Sequence, residues 1–370
     1  MKLKVLITGS NGMLGVDLCQ ELRKEHELIG VDVIASPALR HCEEAFRPTK
    51  PFDPSTKAQG RSRAKPRDDK SSGLRPEQGR RTKQSHKCDV TNKREILQVV
   101  KNMRPDIVIH TAAMTDVDGC EVDQKKAYKI NAEGARNVAL ACKAVDAALI
   151  YLSTDFVFDG KKKNPYKETD KTDPLSVYAD SKLKGEAAAK RILKKYFILR
   201  TGWLYGKHGK NFVDTILKKA KTEKALKVVD DQTGSPTYTK DIAKAIHVLI
   251  SVIASPEVIL RHCEGTKCQK QSQKIEYGVY HISNSGSVSW FDYAKEILKL
   301  AGSQTKVLPI SSKELDRPAK RPRMSVLDNS KFIKFPGHKM RNWQEALKEY
   351  MTPSLRGHEV PEAISQAKRG

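Results

Sequence analysis

The feature that most constrains the fold is a glycine-rich loop that lies between a short apolar run and a helical pattern. Residues 2–8 are mostly apolar, as in a buried parallel strand, and residues 16–23 carry apolar side chains at helical spacing. The loop between them has glycine at every third position, at Gly9, Gly12 and Gly15. Strand, glycine loop and helix in this order bring backbone N–H groups to a pyrophosphate, so the pattern predicts an α/β fold that binds a dinucleotide.

A second predicted strand, residues 27–32, ends in the acid Asp32. An acid at this place typically accepts hydrogen bonds from the adenosine ribose, and its charge repels the 2′-phosphate of NADP. The expected cofactor is NADPH or NADH, and Asp32 predicts that NADH is used at least as well. Arg40 and Arg47 follow in the chain and are candidates to offset the repulsion.

Tyr178 and Lys182 are the second informative pair of residues. Their spacing puts them one turn apart on the same face of a helix. A lysine ammonium at that position is expected to lower the pKa of the tyrosine, which then donates a proton to a carbonyl oxygen as a hydride reaches the carbon. The spacing alone is common, but its position after the glycine loop and after Ser153-Thr154-Asp155 favours a nicotinamide-dependent reductase.

Composition argues against several other classes of protein. The net charge is +24, yet residues 36–87 alone contribute +8 in a polar segment with almost no apolar periodicity. The remaining charge is spread along amphipathic helices, so we expect no nucleic-acid partner. No run approaches the length of a membrane helix, and we expect a cytoplasmic protein without a membrane partner. Seven scattered cysteines suggest neither disulfides nor a metal site.

The sequence also contains an internal repeat. Val33–Glu43 recurs in slightly longer form as Val252–Glu264, and neither copy has an apolar face that would stack on a neighbouring repeat. We interpret both as copies of one inserted element, which overlap the polar insertions 36–87 and 254–274. Both fall in connections between predicted elements, where extra length has a small entropic cost.

From residue 88 onward, strand and helix patterns alternate, which predicts a doubly wound parallel sheet. Helices are expected at 93–101 and 124–145 and around Tyr178, and strands at 106–111, 148–157 and 197–201. After residue 200 the alternation weakens. We therefore divide the chain into a Rossmann-type domain (1–203), a smaller C-terminal substrate-binding lobe (204–351) and a tail (352–370), with segments 204–210, 227–238 and 311–328 facing the cleft.

Several longer motifs resemble one family. The G-x-x-G-x-x-G spacing is similar to the extended branch of the short-chain dehydrogenase/reductase superfamily. His110–Glu121, Ser153–Gly160, Arg200–Gly206 and Asp231–Thr237 resemble dTDP-4-dehydrorhamnose reductases, as do shorter matches at 211–212, 321–322 and 343–347. The resemblance covers 3–35, 88–251 and 277–351. It implies reduction of the C4 keto group of dTDP-4-dehydro-6-deoxy-L-mannose to give dTDP-L-rhamnose, with a nucleotide sugar as substrate.

The resemblance also implies roles for individual residues. Tyr178 would be the general acid, Lys182 would hold the nicotinamide ribose, and Thr154, rather than its strand neighbour Ser153, would bind the reacting oxygen. The cofactor would lie against Gly9, Asn11, Gly12, Met13, Leu14, Gly15, Asp32, Asp89, Val90, Ala112, Ala113, Thr115, Tyr178 and Lys182. The substrate would lie against Asp155, Trp203, Asn211 and Arg321. Ala179 departs from the glycine usual in the family, and a methyl group there fits a helix.

Two alternatives remain open at this point. The same chemistry would serve another nucleotide 4-keto-deoxysugar. A non-catalytic regulatory role is also consistent with the motifs, because the beta subunit of methionine adenosyltransferase resembles the same family. The sequence leaves open which nucleotide sugar is used, whether the protein is a homodimer, and whether it requires Mg²⁺.

Overall fold

A computed structural model describes residues 2–32, 86–254, 259–264, 267–272, 276–334 and 339–357. Its centre is a parallel sheet of seven strands in the spatial order β13-β6-β5-β4-β1-β2-β3, an order typical of dinucleotide-binding folds with one strand added at the β6 edge. The strands of this sheet are β1 (Lys4–Thr8), β2 (Glu27–Asp32), β3 (His86–Lys87), β4 (Ile107–His110), β5 (Ala148–Thr154), β6 (Tyr196–Thr201) and β13 (Gly278–His281).

The helices that follow along the chain are α1 (Met13–Leu22), α2 (Lys93–Met103), α3 (Val117–Val122), α4 (Gln124–Tyr128), α5 (Ala135–Val145), α6 (Val177–Ile192), α7 (Phe212–Ala220), α8 (Thr239–Ala254), α9 (Trp290–Leu300), α10 (Ser330–Ile333) and α11 (Trp343–Gly357). Helices α1, α2 and α6 lie at or near the positions predicted from sequence. The predicted helix 124–145 is interrupted by a π-helical segment, Lys129–Gly134. The predicted strand 148–157 ends at Thr154 and continues as a 3₁₀ turn, Asp155–Val157.

Both faces of the central sheet are covered by apolar side chains. Every residue of β4 and β5 is buried, as expected for strands with helices on both sides. One core packs α1 and α8 on one face, around Leu18, Ile109 and Ile246. The other core packs α2 and α5 on the opposite face, around Val100, Val108 and Val138.

The residues after 203 form short strands and a third core. The short strands are β7 (Leu204–Tyr205), β8 (Ala225–Val229), β9 (Thr233–Gly234), β10 (Thr237–Tyr238), β11 (Ile259–Glu264), β12 (Lys267–Ser272), β14 (Val288–Ser289) and β15 (Lys306–Ile310). Parallel pairing joins β8 to β15, and the third core packs α7, α9 and α11 around Tyr205, Tyr293 and Trp343.

Residues after 203 also return to the central sheet, because β13 pairs with β6 and α8 packs on α1. Contacts group the described residues as one compact unit.

The predicted insertion 36–87 lies outside the described residues except for its last two residues, which form β3. In the predicted insertion 254–274, the described parts form an antiparallel hairpin of β11 and β12. The last helix, α11, ends at Gly357 and so includes the first residues of the predicted tail 352–370.

Two further expectations concern membranes and cysteines. Within the described ranges, no helix combines the length and apolarity needed to cross a membrane. Cys19, Cys88, Cys120 and Cys142 are free thiols, and all but Cys19 are buried.

Candidate active site

The glycine loop connects β1 to α1 at the carboxyl edge of the sheet, and its geometry requires glycine. Gly9 has a positive φ of 74°, and a Cβ there would lie 2.9 Å from the backbone nitrogen of Ala112. A Cβ at Gly15 would overlap the carbonyl oxygen of Gly9. Gly12 precedes α1 without a side-chain cap, so the first N–H groups of this helix are available to an anion. The loop therefore has the shape and polarity of a pyrophosphate site.

Asp32 lies at the end of β2, beside this loop. Its two carboxylate oxygens accept hydrogen bonds from the backbone nitrogen of Asn11 at 2.8 Å and the hydroxyl of Ser10 at 3.0 Å. Gly9 is held from the same strand, because its N–H donates to the carbonyl oxygen of Val31 at 2.8 Å. Asp32 thus fixes the loop as well as carrying negative charge where the adenosine ribose is expected.

The other predicted cofactor residues lie where β3 and β4 end. Asp89 accepts from the N–H of Thr91 at 2.8 Å, and Val90 is fully buried. After β4, Ala112 is buried, Ala113 is half-buried and Thr115 is exposed. These residues line the same edge of the sheet as the glycine loop, which is where parallel α/β sheets bind ligands.

Thr154 and Tyr178 form the centre of the site. Thr154 is the last residue of β5, and its hydroxyl lies close enough to that of Tyr178 on α6 to act against the rise in the Tyr178 pKa. Ser176 caps α6 through the N–H of Ala179, which places Tyr178 in the first turn. Ser153 faces the other side of the strand, where its hydroxyl donates to Glu186 at 2.6 Å.

Lys182 lies one turn after Tyr178, and its side chain is 4% exposed. Its Nζ donates to the carbonyl oxygen of Leu152 at 2.6 Å and lies 4.4 Å from the centre of the Tyr151 ring. Burial lowers the pKa of Lys182 to about 7, although Glu186 opposes this shift. The lysine is therefore near the midpoint of its titration at neutral pH.

The predicted lowering of the Tyr178 pKa is wrong for the protein without cofactor. Burial raises the pKa of Tyr178 well above its ordinary value, and the charge of Asp155 adds to the increase, whereas the hydrogen bond with Thr154 opposes it. Lys182 does not offset this because its own charge is disfavoured by burial. Tyr178 is consequently protonated at neutral pH, which is the state that a proton donor needs.

Asp155 follows Thr154 and is buried beside the same pair of hydroxyls. Its carboxylate accepts from the Thr154 hydroxyl at 3.1 Å. Burial raises the pKa of Asp155 to about 7, against the hydrogen bonds from Ser325 and Thr154. A Cβ on Gly202 would collide with the carboxyl group, so Gly202 leaves the space that Asp155 occupies.

Sequence reasoning missed Asn131, which lies in the π-helical segment. Its amide oxygen accepts from the N–H of Met114 at 2.8 Å, and its amide nitrogen donates to Ser181 on α6 at 3.0 Å. It therefore connects the loop after β4 to the helix that carries Tyr178. Single-turn π segments are frequent at functional sites. The only signal in the sequence was a polar residue, Asn131, at a position where the helical pattern predicts a buried side chain.

A buried ion pair beneath α6 was missed as well. Arg200 of β6 donates two hydrogen bonds to Glu186 of α6, at 2.9 and 2.8 Å, and both side chains are almost fully buried. Because Ser153 also donates to Glu186, the pair ties β5, β6 and α6 together. The position of Tyr178 and Lys182 relative to Thr154 depends on this contact.

The predicted substrate residues differ in how free their side chains are. Trp203 has φ of 53°, stacks on Trp290 and lies against Gly234, where a Cβ would overlap its ring. The amide nitrogen of Asn211 donates to the Gly206 carbonyl at 2.9 Å and to Tyr350 at 3.2 Å, and its oxygen caps α7. These contacts favour a structural role for Asn211.

Arg321 forms a two-point ion pair with Asp118 of α3, at 3.1 and 2.8 Å. This contact connects the segment 311–328 to α3, the helix that follows the loop after β4. The side chain of Arg321 is 14% exposed. It could therefore bind a phosphate only by breaking the ion pair with Asp118 or by contacting both groups at once.

The fold and this arrangement of a glycine loop, a Tyr-Lys pair and a strand-end threonine define a nicotinamide-dependent oxidoreductase of the Rossmann type. The family model described as the RmlD substrate binding domain matches residues 2–355. The chain belongs to this family.

Characterised relatives agree over most of the chain. The spore coat polysaccharide biosynthesis protein SpsK of Bacillus subtilis is 34% identical over 94% of this chain and 96% of its own. The dTDP-4-dehydrorhamnose reductase of Aggregatibacter actinomycetemcomitans is 38% identical over 70% of this chain and 85% of its own. The crystal structure of dTDP-4-dehydrorhamnose reductase from Bacillus anthracis in complex with NADP is 34% identical, with a TM-score of 0.73, over 95% of this chain and 100% of its own.

Proposed function

We propose that this protein reduces the C4 keto group of dTDP-4-dehydro-6-deoxy-L-mannose with NAD(P)H and yields dTDP-L-rhamnose. One hydride adds to C4, one proton adds to the C4 oxygen, and the oxidised nicotinamide leaves. The observation that carries this proposal is that Thr154 ends β5 beside Tyr178 in the first turn of α6, with Lys182 one turn further on, at the sheet edge that holds the glycine loop. Relatives that are 32–38% identical over about 70% of this chain are named for the same activity.

The raised pKa of Tyr178 suits the role of general acid. The phenol keeps its proton until negative charge develops on the C4 oxygen, and it then donates that proton as the carbonyl is reduced. The Thr154 hydroxyl would hold the same oxygen, so two groups favour the alcohol-like transition state over the ketone. A protonated Lys182 would lower the energy of the phenolate that remains on Tyr178.

The residues present fit a nicotinamide dinucleotide. The unoccupied N–H groups at the start of α1 would bind the pyrophosphate, Asp32 would accept from the adenosine ribose, and Lys182 would donate to the nicotinamide ribose. The bound cofactor supplies the hydride. Asp155 contacts the Thr154 hydroxyl and fills the space beside Gly202, and Trp203 follows Gly202 in the chain, so we retain these two as substrate-binding residues.

The deciding experiment removes one hydroxyl group. Tyr178→Phe keeps the ring that packs against Phe156 but deletes the proton donor. Turnover should fall by about 10²–10⁴-fold, measured as loss of nicotinamide absorbance with dTDP-4-dehydro-6-deoxy-L-mannose. Tyr128→Phe is the matched control, because that hydroxyl donates to Asp180 on the same helix at 2.5 Å but lies outside the proposed chemistry.

Near-normal turnover in Tyr178→Phe would refute the mechanism. If the unaltered protein binds NADH or NADPH tightly but reduces no nucleotide 4-keto-deoxysugar, the regulatory role replaces the enzymatic one. Reduction of a different 4-keto sugar, with the same loss in Tyr178→Phe, would keep the mechanism and change the substrate.

A further inference from the structure

A cluster of two histidines and two glutamates lies where the end of α1 meets α8. Glu21 is on α1, Glu25 and His26 lie in the turn between α1 and β2, and His247 is on α8. The two ring nitrogens of His247 lie 3.3 Å from a carboxylate oxygen of Glu21 and 3.0 Å from one of Glu25. One ligand atom each from Glu25, His26 and His247 fall within 4.8 Å of one another.

His26 supplies an independent reason to expect a ligand. It is only 6% exposed, and among the described residues neither of its ring nitrogens has a hydrogen-bond partner. A buried polar nitrogen without a partner loses its hydrogen bonds to water and gains none in return, so such groups are rare without an ion or water nearby.

The donor atoms point to a particular class of metal. Two imidazole nitrogens with carboxylate oxygens suit Zn²⁺ and similar divalent transition metals, whereas Mg²⁺ prefers oxygen ligands and bound water. The two carboxylates would neutralise the divalent charge. Donor atoms in a tetrahedral zinc site lie about 3.3 Å apart, so the cluster must contract by about 1.5 Å. The side chain of Glu25 is 60% exposed and is free to rotate inward.

The cluster lies at the opposite end of α1 from the glycine loop. Because β2 begins at Glu27, directly after His26, the cluster is at the amino edge of the central sheet, away from Tyr178. At the other end of the same helix pair, Thr239 of α8 already contacts Asp17 of α1 through a short hydrogen bond. A metal here would join the two helices a second time and would take no part in hydride transfer.

From this geometry we infer that Glu25, His26 and His247 form a structural zinc site that joins the end of α1 to α8, with Glu21 accepting a hydrogen bond from the Nδ1–H of His247. No step of the proposed reduction depends on it. The test uses the full chain, treated with a chelator and then titrated with Zn²⁺. Bound metal is counted by elemental analysis, and thermal unfolding is measured with and without the metal.

His247→Ala removes one proposed ligand, and Glu25→Gln weakens another, whose side chain is 60% exposed. Relative to the unaltered protein, His247→Ala should bind one fewer zinc ion, and Glu25→Gln should bind that ion at least about tenfold more weakly. Both should lose the increase in Tm caused by Zn²⁺. Their reductase activity without zinc should be unchanged. Glu296→Gln on α9 is the control, because Glu296 forms one ion pair, with Lys299, at a helix surface away from the proposed site.

Zinc bound elsewhere, for example by cysteines, is present in every variant and cancels in the comparison. Equal zinc content and equal Tm increases in all four proteins would overturn the inference. So would an increase of the same size with Mg²⁺, because a site with two imidazole ligands should discriminate against that ion.

Discussion

At the scale of single residues, the site brings together two groups that titrate near neutrality. Burial raises the pKa of Asp155 to about 7 and lowers that of Lys182 to about 7. Both shifts favour the neutral side chain, so the site around Tyr178 carries little net charge before a ligand enters. The proposed chemistry needs Lys182 protonated, and it also needs Asp155 neutral, because an anion there makes Tyr178 a weaker acid.

These two groups predict the pH dependence of reduction. As the pH rises through about 7, Lys182 loses its positive charge and Asp155 gains a negative one, and both changes oppose proton donation. In the unaltered protein, log(kcat/KM) for the keto sugar should fall above neutrality with a limiting slope of about −2. In Asp155→Asn the slope should be about −1, because only Lys182 still titrates. An unchanged slope would show that Asp155 does not ionise in this range.

Stability supplies a second measure of Asp155. Its pKa in the folded protein lies above the ordinary value for Asp, so its favourable contribution to folding is complete at low pH and is lost as the pH rises through about 7. Asp155→Asn should therefore unfold at higher urea concentration than the unaltered protein at about pH 9. No such gain is expected at about pH 2.5, well below the ordinary pKa of Asp, where the carboxyl group is protonated in both the folded and the unfolded state.

Asp32 determines a further prediction at this scale, which concerns the choice of cofactor. Its negative charge beside the loop should make NADH at least as good as NADPH, measured by kcat/KM for each. Asp32→Asn removes the charge but keeps an oxygen for the N–H of Asn11, so the ratio should move towards NADPH while the loop stays in place. A strong NADPH preference in the unaltered protein that also survives deletion of 38–86 would contradict this role of Asp32.

At the scale of elements, local patterns were sufficient to predict some parts and not others. The glycine loop, α6 and the buried strands β4 and β5 follow from short-range spacing, because each pattern reports on one element. The Glu186–Arg200 pair and the Asn131 contacts depend on how separate elements pack, and no local pattern encodes that. The raised pKa of Tyr178 was missed for the same reason, since burial by neighbouring elements outweighs the nearby lysine.

The repeated element predicts tolerance to deletion. The described parts of 254–274 form a hairpin whose two strands pair only with each other, between α8 and β13. Replacing 256–274 by a short Gly-Ser linker should therefore leave turnover within about twofold, because lengthening or shortening a loop changes closure entropy only slightly. Replacing 212–220 by the same linker is the contrasting control, because α7 contributes buried residues to the third core. Loss of soluble, active protein on the hairpin deletion would refute the interpretation of 254–274 as an insertion.

At the scale of the whole molecule, the two lobes predicted from sequence are connected by more than the chain. Residues 278–281 add a strand to the central sheet, and Arg341 contacts Asp241 at the start of α8 with an N–O distance of 2.9 Å. The described residues form one compact unit rather than separating near residue 203. A ligand held at the glycine loop should therefore stabilise the whole unit and not the first lobe alone.

This connection predicts that thermal unfolding is a single transition that cofactor shifts as a whole. At a concentration 100 times its Kd, NADPH or NADH should add about 2.7 kcal/mol to the free energy of unfolding. Tyr178→Phe should show the same shift, because the lost hydroxyl serves the chemistry, whereas Lys182→Met should need a higher cofactor concentration to reach it. Calorimetry with each protein measures both effects. Two separate transitions, of which cofactor moves only one, would show that residues 1–203 and 204–351 unfold independently and that the contacts through β13 and α8 are too weak to join them.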